Sequence, residues 1–288
     1  MEILNPFENN GNWYKGNTHL HTTNSDGTLT PEEICEIYKN AGYNFISITD
    51  HGKITSGQKF SDFLLIPGVE LNKGNFHVVG INIKENFSVE KLSFQEIITG
   101  IKNQDALPVI AHPYWSGFTS QDLLSLNDYV GIEVYNTTCH SLRGKGYSSV
   151  HWDEILQTGR KVFGFAADDG HHPTDNKRDD DILVSFIMVK SKSLDTKSIC
   201  DSIKNGLFYS STGVIVDDLK IQDKKIVIKF SPAYYVDFIG YNASGKRISG
   251  MGKEITSAEY LINGDEKYIR IEITDKNNKK AWLNPFFI

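Results

Sequence analysis

Between Asn17 and Gly52 the chain reads NTHLHTTNSDGTLTPEEICEIYKNAGYNFISITDHG, which gathers imidazoles and carboxylates at what the pattern marks as strand ends. His19 and His21 stand two apart in a short apolar-polar alternation, so on an extended chain both rings leave from one face and can grip one ion. Asp26-Gly27 is a turn dipeptide that leaves a carboxylate free at a loop tip. Asp50-His51 closes the next β-rich run, Glu70 ends FLLIPGVE, His77 opens the strand pattern FHVVGI, and His112 closes LPVIAH. KVFGFAADDGHH then ends on two acids and two histidines, Asp168, Asp169, His171 and His172, rarely a core pattern. Taken singly, Glu70 equally suits a solvated strand end and His77 a satisfied structural histidine. Imidazole and carboxylate donors without thiolate suit zinc, manganese or iron, and donor type alone does not choose among them. Such ions make hydroxide available near neutral pH, so hydrolysis would need no Ser or Cys nucleophile.

These residues need elements to hold them. Thr30-Pro31-Glu32-Glu33 is a helix start, with Thr at the N-cap, Pro first and Glu at the third position. The helix is expected to run to about Gly42 and to lead into a strand over 45–49, giving a βαβ unit with its polar chemistry at one rim. Leu92, Ile97, Ile98 and Ile101 have helical spacing and predict a covering helix over 92–102. LPVIAHP and GIEVYN read as buried strands, the first stopped by Pro113; Glu133 and Asn136 in the second either contact substrate or brace the rim. Strand-then-helix alternation through residue 206, with polar groups recurring at C-terminal strand ends, predicts a parallel α/β barrel rather than an open sheet. From about Leu219 the style changes. Residues 225–230, 236–242 and 268–274 alternate, and Ser244-Gly245 and Asn263-Gly264-Asp265 mark turns, an antiparallel pattern. Residues 1–214 therefore read as the catalytic unit. Residues 215–288 read as a small all-β, sandwich-like module whose Trp282-Leu283-Asn284-Pro285 end folds back on the barrel.

The 288 residues carry 23% charged side chains and a net charge of −6, which lacks the basic surplus that a nucleic-acid partner needs. Cys35, Cys139 and Cys200 are odd in number and widely spaced, against a disulfide framework or a thiolate zinc site. With no basic start, apolar leader segment or membrane-length run, the expectation is a cytoplasmic protein with no membrane partner. A dinucleotide-binding glycine fingerprint and a P-loop are absent from the sequence, so no nucleotide cofactor is indicated.

The order of these motifs resembles the PHP (polymerase and histidinol phosphatase) family: H-x-H followed by an acid, D-H after a strand, a G-x-E, two further histidines and a closing D-x-H. The resemblance covers His19 to His171 and does not extend with like specificity into the β module. It implies a distorted TIM-like (β/α)7 barrel that hydrolyses phosphate esters with two to three divalent transition metal ions, Mn, Zn or Fe. Carried over position by position, it places His19, His21, Glu70 and Asp169 around a first metal. Glu70 would bridge to a second metal held also by His77 and His112, and Asp26, His51 and His171 would hold a third. Some relatives have His where this chain has Asp26, which shifts that site toward oxygen donors. Within the closing cluster only Asp169 and His171 give D-x-H, an interval that sends extended side chains to one side; Asp168 and His172 would then face away or support the ligands. Asp50 is expected to orient an imidazole. Arg143, in HSLRGKG, and Arg178 are the expected substrate-binding residues because guanidinium grips phosphate in a bidentate fork, whereas Lys145 and Lys177 are weaker candidates. His140 and His151 receive no role. The function implied is hydrolysis of a small phosphorylated metabolite such as a sugar, nucleotide or amino-alcohol phosphate. An amidohydrolase-type C–N hydrolase, or a relict barrel with a binding β module, are the competing readings.

Overall fold

The computed structural model describes residues 5–59, 62–172 and 181–288. The first strand, Asn12–Asn17, pairs in parallel with Phe45–Ile48, Gly16 opposite Phe45 and Asn17 opposite Ile46. The helix Pro31–Asn40 connects them. Its start is a closed capping box: Thr30 Oγ1 accepts from Glu33 N at 3.3 Å and Glu33 Oε2 accepts from Thr30 N at 2.8 Å. Ile34, Cys35 and Tyr38 form its buried face.

Phe45–Ile48 pairs in parallel with Leu64–Lys73, which turns back into Phe76–Ile81 as an antiparallel hairpin with Glu70 opposite Val79. Leu107–Ile110 joins the far edge of that hairpin antiparallel, and Gly131–Asn136 and Phe163–Ala167 follow in parallel. Phe45, Ile66, Val79, Val109, Phe165, Ile187 and Phe208 fill the interior between these strands. Outside, Phe94–Lys102 and Ser149–Gln157 bury Ile97, Ile98, Ile101, Trp152 and Ile155.

The sheet does not close into the expected (β/α)7 barrel. A strand has two edges; Asn12–Asn17 gives one to Phe45–Ile48 and the other to the antiparallel strand Phe186–Ser191, with Tyr14 opposite Val189. No edge is left for Phe163–Ala167. Just beyond their ends the first and last strands of the series are tied by an isolated bridge between Leu20 and Gly170, with Asp169 N donating to His19 O at 2.9 Å. Two of the successive pairings are also antiparallel rather than parallel. The architecture is a large mixed sheet curled around one end, where the strand-end loops converge.

From Phe186–Ser191 the sheet continues through Phe208–Ser211, Lys280–Phe287, Tyr268–Thr274 and Tyr235–Gly240 to the edge strand Gly245–Ser249. Val216–Gln222, Lys225–Ala233 and Ile255–Leu261 form a second, three-stranded antiparallel sheet. Leu219, Ile226, Ile228 and Phe230 from it face Val236, Phe238, Ile269, Ile271 and Ile273 in one apolar core. This is the C-terminal β module that the alternating pattern announces. It is stitched to the preceding strands: Lys280–Phe287 hydrogen-bonds to Phe208–Ser211, and fully buried Trp282 stacks on Tyr135 with ring centroids 5.7 Å apart.

Candidate metal centre

The segment that follows the first strand carries His19 and His21 inward with Leu20 buried between them. His19 Nε2 lies 3.2 Å from His21 Nε2, 3.4 Å from Glu70 Oε2 and 3.2 Å from Asp169 Oδ1. His21 Nε2 is 3.3 Å from the same Glu70 oxygen and 3.1 Å from the same Asp169 oxygen. The five separations match edges of a tetrahedron, since bonds of about 2.0–2.1 Å to a central ion put neighbouring ligands about 3.3 Å apart, and all four donor atoms lie within 4.8 Å of one another. Imidazole nitrogens and carboxylate oxygens crowding one point fit a cation.

Glu70 presents its other oxygen to a second set. Oε1 lies 2.8 Å from His77 Nδ1 and 3.2 Å from His112 Nε2, while Oε2 also meets His51 Nδ1 at 3.1 Å. The register puts His77 opposite Asn72, beside Glu70 across the hairpin, so the pair meets for local reasons. A third grouping surrounds Asp26, which is 3.3 Å from His21 Nδ1, 3.5 Å from His51 Nε2 and 3.4 Å from His171 Nε2. The structure thus brings His19, His21, Asp26, His51, Glu70, His77, His112, Asp169 and His171 to one place.

Several of the rings are aimed by their second nitrogen. His19 Nδ1 donates to Glu133 Oε1 at 2.7 Å, leaving Nε2 for the cluster. His171 Nδ1 donates to Asp169 O at 2.7 Å, and His112 Nδ1 meets Ser116 Oγ at 3.0 Å. Asp169 faces the cluster. Asp168 points the other way, accepting from Tyr38 OH at 2.6 Å, Thr137 Oγ1 at 3.0 Å and Ser185 N at 2.7 Å. The backbone N–H of His172 donates to Asp181 Oδ1 at 3.0 Å.

Asp50 differs from expectation. Among the described residues it has no imidazole partner; its carboxylate accepts from Thr22 N and Thr22 Oγ1, each at 2.7 Å, and from Ser25 Oγ at 2.7 Å. Those bonds fold the loop that presents Asp26, since a buried carboxylate must find donors and the nearest are the hydroxyls of that loop. Glu133 and Asn136 brace the rim: Asn136 Nδ2 donates to Glu133 Oε2 at 2.8 Å and to Asp169 Oδ2 at 3.2 Å. A carboxylate inside an otherwise uncharged buried strand is the sequence signal for such a partner.

The cluster's charge is unbalanced. Burial opposes a charged His19 ring, yet Asp169, Glu133 and Glu70 outweigh it and hold its pKa well above the ordinary value. His21 is raised in the same way through Asp169, Asp26 and Glu70, and His112 through Glu70 and Asp169. Burial works against the Glu70 and Asp169 carboxylates, but the surrounding imidazoles pull both below the usual range. For Asp168 burial wins over its hydrogen bonds and lifts it to about 6. The cluster therefore attracts positive charge, whether protons or metal ions.

Over it opens a cavity of about 360 Å³ lined on its far side by Trp115, Leu142, Cys139 and Arg143. The Arg143 guanidinium donates to Leu142 O at 3.1 Å, and among the described residues it has no carboxylate partner. Lys145 sits over the Tyr114 ring instead, 5.4 Å from its centroid. His151 Nε2 donates to Phe118 O at 2.9 Å and His140 packs between Tyr135 and Tyr147, both away from the cluster. Arg178 and Lys177 lie outside the described residues. Thr28, Trp115, Thr138 and Leu142 are cavity residues that the sequence reading gave no role; Trp115, the last residue of H-P-Y-W, follows His112 onto the short helix Pro113–Ser116.

No family model matches the chain. A curated relative, the uncharacterized protein MJ1587 of Methanocaldococcus jannaschii, is 27% identical over 145 residues, covering 42% of this chain and 81% of its own. Among solved structures, a two-domain protein from Bacteroides vulgatus, described as containing a predicted PHP-like metal-dependent phosphoesterase, aligns over 100% of this chain and 98% of its own. Its TM-score is 0.56 and its identity 15%. An amidohydrolase from Chromobacterium violaceum, solved with sulfate and no metal, aligns over 57% of this chain and 91% of its own at a TM-score of 0.40 and 16% identity. The Bacteroides alignment runs through both the metal cluster and the β module, so the chain shares the whole fold of a protein described as PHP-like.

Proposed function

We propose that the protein is a metal-dependent phosphoesterase that hydrolyses a small phosphomonoester with two to three divalent ions, Mn, Zn or Fe. The observation that carries the reading is Glu70, a buried carboxylate whose two oxygens face two different sets of imidazoles. A carboxylate so placed can serve two ions at once. His19, His21, Glu70 and Asp169 would hold the first, Glu70, His77 and His112 the second, and Asp26, His51 and His171 the third. Bound there, divalent ions supply Lewis acidity and ease the loss of a proton from water.

The protein's own groups do the rest. The cavity of about 360 Å³ admits a small molecule. Arg143, with no carboxylate partner among the described residues, can hold an anionic group of the substrate. Cys139 also reaches the cavity, but burial and the nearby Asp169 push its thiol far up, which removes it as a thiolate nucleophile. The net charge of −6 speaks against an obligate nucleic-acid partner, and among the described residues no helix is long and apolar enough to cross a membrane. A reducing, cytoplasmic setting fits three free cysteines.

The test is a panel of phosphate esters, amides and lactones with chelator-stripped protein and added manganese or zinc. Phosphate release that depends on metal is expected. Metal-dependent amide hydrolysis without phosphate release would replace this reading with the C–N hydrolase.

A further inference from the structure

Glu133 lies on Gly131–Asn136, a strand buried throughout, and is itself 1% exposed. Neither of its oxygens is free. Oε1 accepts from His19 Nδ1 at 2.7 Å; Oε2 accepts from the backbone N–H of His112 at 2.8 Å and from Asn136 Nδ2 at 2.8 Å. Asn136 in turn donates to Asp169 at 3.2 Å. One carboxylate thus touches the ring of one donor of the first set and the backbone of one donor of the second, and reaches a third donor through an amide.

The two direct contacts do different work. A carboxylate only accepts, so His19 must carry its proton on Nδ1 and turn the Nε2 lone pair to the cluster. His112 is held in the left-handed region, φ 30° and ψ 60°, an arrangement that a non-glycine residue keeps only where its surroundings over-determine it. Its N–H bond to Glu133 is one such constraint, and it fixes the direction in which the His112 ring leaves the strand.

We infer that Glu133 is a positioning residue that sets the first and second metal sites together, fixing the tautomer of His19 and the backbone of His112. It is not itself assigned an ion, since its oxygens are turned to His19, His112 and Asn136 and among the described residues it joins none of the donor groups. The inference rests on the metal-dependent reading of the cluster.

The experiment uses full-length, chelator-stripped protein titrated with Co²⁺, followed by metal analysis and by the visible absorption of bound cobalt. Glu133→Ala should lower affinity by about 10- to 100-fold and change the cobalt spectrum, the range typical for partners of metal ligands. Glu133→Gln keeps shape and one acceptor oxygen but turns an NH₂ toward groups that donate; it should fall between wild type and Glu133→Ala. Independently of any variant, long-range ¹H–¹⁵N spectra of Zn²⁺-loaded wild type should show His19 protonated at Nδ1. Wild-type cobalt affinity and spectrum in a folded Glu133→Gln or Glu133→Ala protein, or a His19 protonated at Nε2, would overturn the role of Glu133 alone. Wild-type protein that takes up no metal would remove the metal reading and this inference with it.

Discussion

Two groups of buried charges in this molecule are built on opposite principles. In the C-terminal sheet, fully buried Arg270 forks onto Asp153 at 2.5 and 2.6 Å and reaches Glu272 at 3.2 Å, while Lys280 meets Glu272 at 2.6 Å. Two cations answer two carboxylates, and the network is neutral without help. In the strand-end cluster the ionisable groups that Asp26, Glu70 and Asp169 meet are imidazoles; among the described residues no Lys or Arg comes within ion-pair distance of them. A structural network closes its own charge, since a buried ion left unpaired is expensive. A site that works by taking up cations must leave its charge open. The same carboxylate chemistry therefore serves packing in one place, tying the helix Ser149–Gln157 to the β module, and ligand capture in the other.

The sharpest way to break the comparison is to cancel the open charge. Glu70→Gln should cost more than the roughly 10- to 100-fold that follows loss of a group behind a metal ligand, and should disturb two bound ions together, whereas His77→Ala should disturb chiefly one. Metal analysis beside phosphate release decides this; a Glu70→Gln protein with full metal content and activity would deny it the bridging place. The closed network should respond in the opposite currency. Arg270→Ala leaves Asp153, which is partly exposed, without its partner and leaves Glu272 to Lys280 alone, so unfolding stability should fall by about 1–3 kcal/mol with the metal stoichiometry of the surviving folded protein unchanged. Denaturant titration and elemental analysis of the same preparation test both halves.

Metal addition separates the two groups next. An ion that binds the folded chain alone adds about 2.7 kcal/mol at one hundred times its dissociation constant. Chelator-stripped wild type should gain thermal stability with manganese or zinc, and Arg270→Ala should gain as much, because its lesion lies elsewhere. A wild-type transition indifferent to either ion at millimolar concentration would count against the open cluster as a metal site.

Part of that cluster was legible because its information is local: His19 and His21 stand two apart in an alternating stretch. Glu70, His77 and the D-x-H pair were placed by the order of motifs in the resemblance, and the structure supplies the reasons, a hairpin that brings His77 beside Glu70 and a left-handed Asp169, φ 53°, just past the strand end. What was not legible depends on which strands lie side by side. Glu133 reaches His19 and His112 only because Gly131–Asn136 pairs with Leu107–Ile110 and the sheet curls back to the first strand. The barrel failed to close because Phe186–Ser191 takes the edge of Asn12–Asn17, and strand-helix alternation does not encode edge choice. Asp50 was misread for a related reason: adjacency to His51 suggested an imidazole partner, but successive residues on an extended chain point to opposite sides, and its carboxylate found the hydroxyls of Thr22 and Ser25. The Arg270 network was invisible from sequence, its members lying 117 residues apart.

The smallest effect expected is also the one that tests whether the closed network stays closed. Burial works to raise the Glu272 carboxyl above its ordinary 4.5, but Arg270 and Lys280 outweigh burial and hold it below. A carboxyl depressed in the folded state binds protons more readily when unfolded, so its stabilisation is fully present above the unfolded pKa and is lost as pH falls through the folded one. Loss of this group's charge should therefore begin to weaken the C-terminal sheet only below about pH 4.5, its stabilisation being constant between about pH 5 and 8. Glu272→Gln removes the titration: its stability should be lower than wild type at pH 7, and the gap should narrow as the pH falls toward 3. Chemical denaturation of chelator-stripped protein at fixed pH values isolates the effect, since metal uptake at the other cluster cannot then contribute. A gap that is constant from pH 7 to pH 3 would mean that Glu272 gains nothing from Arg270 and Lys280, and that the contrast between a closed and an open charge cluster does not hold for this half of the molecule.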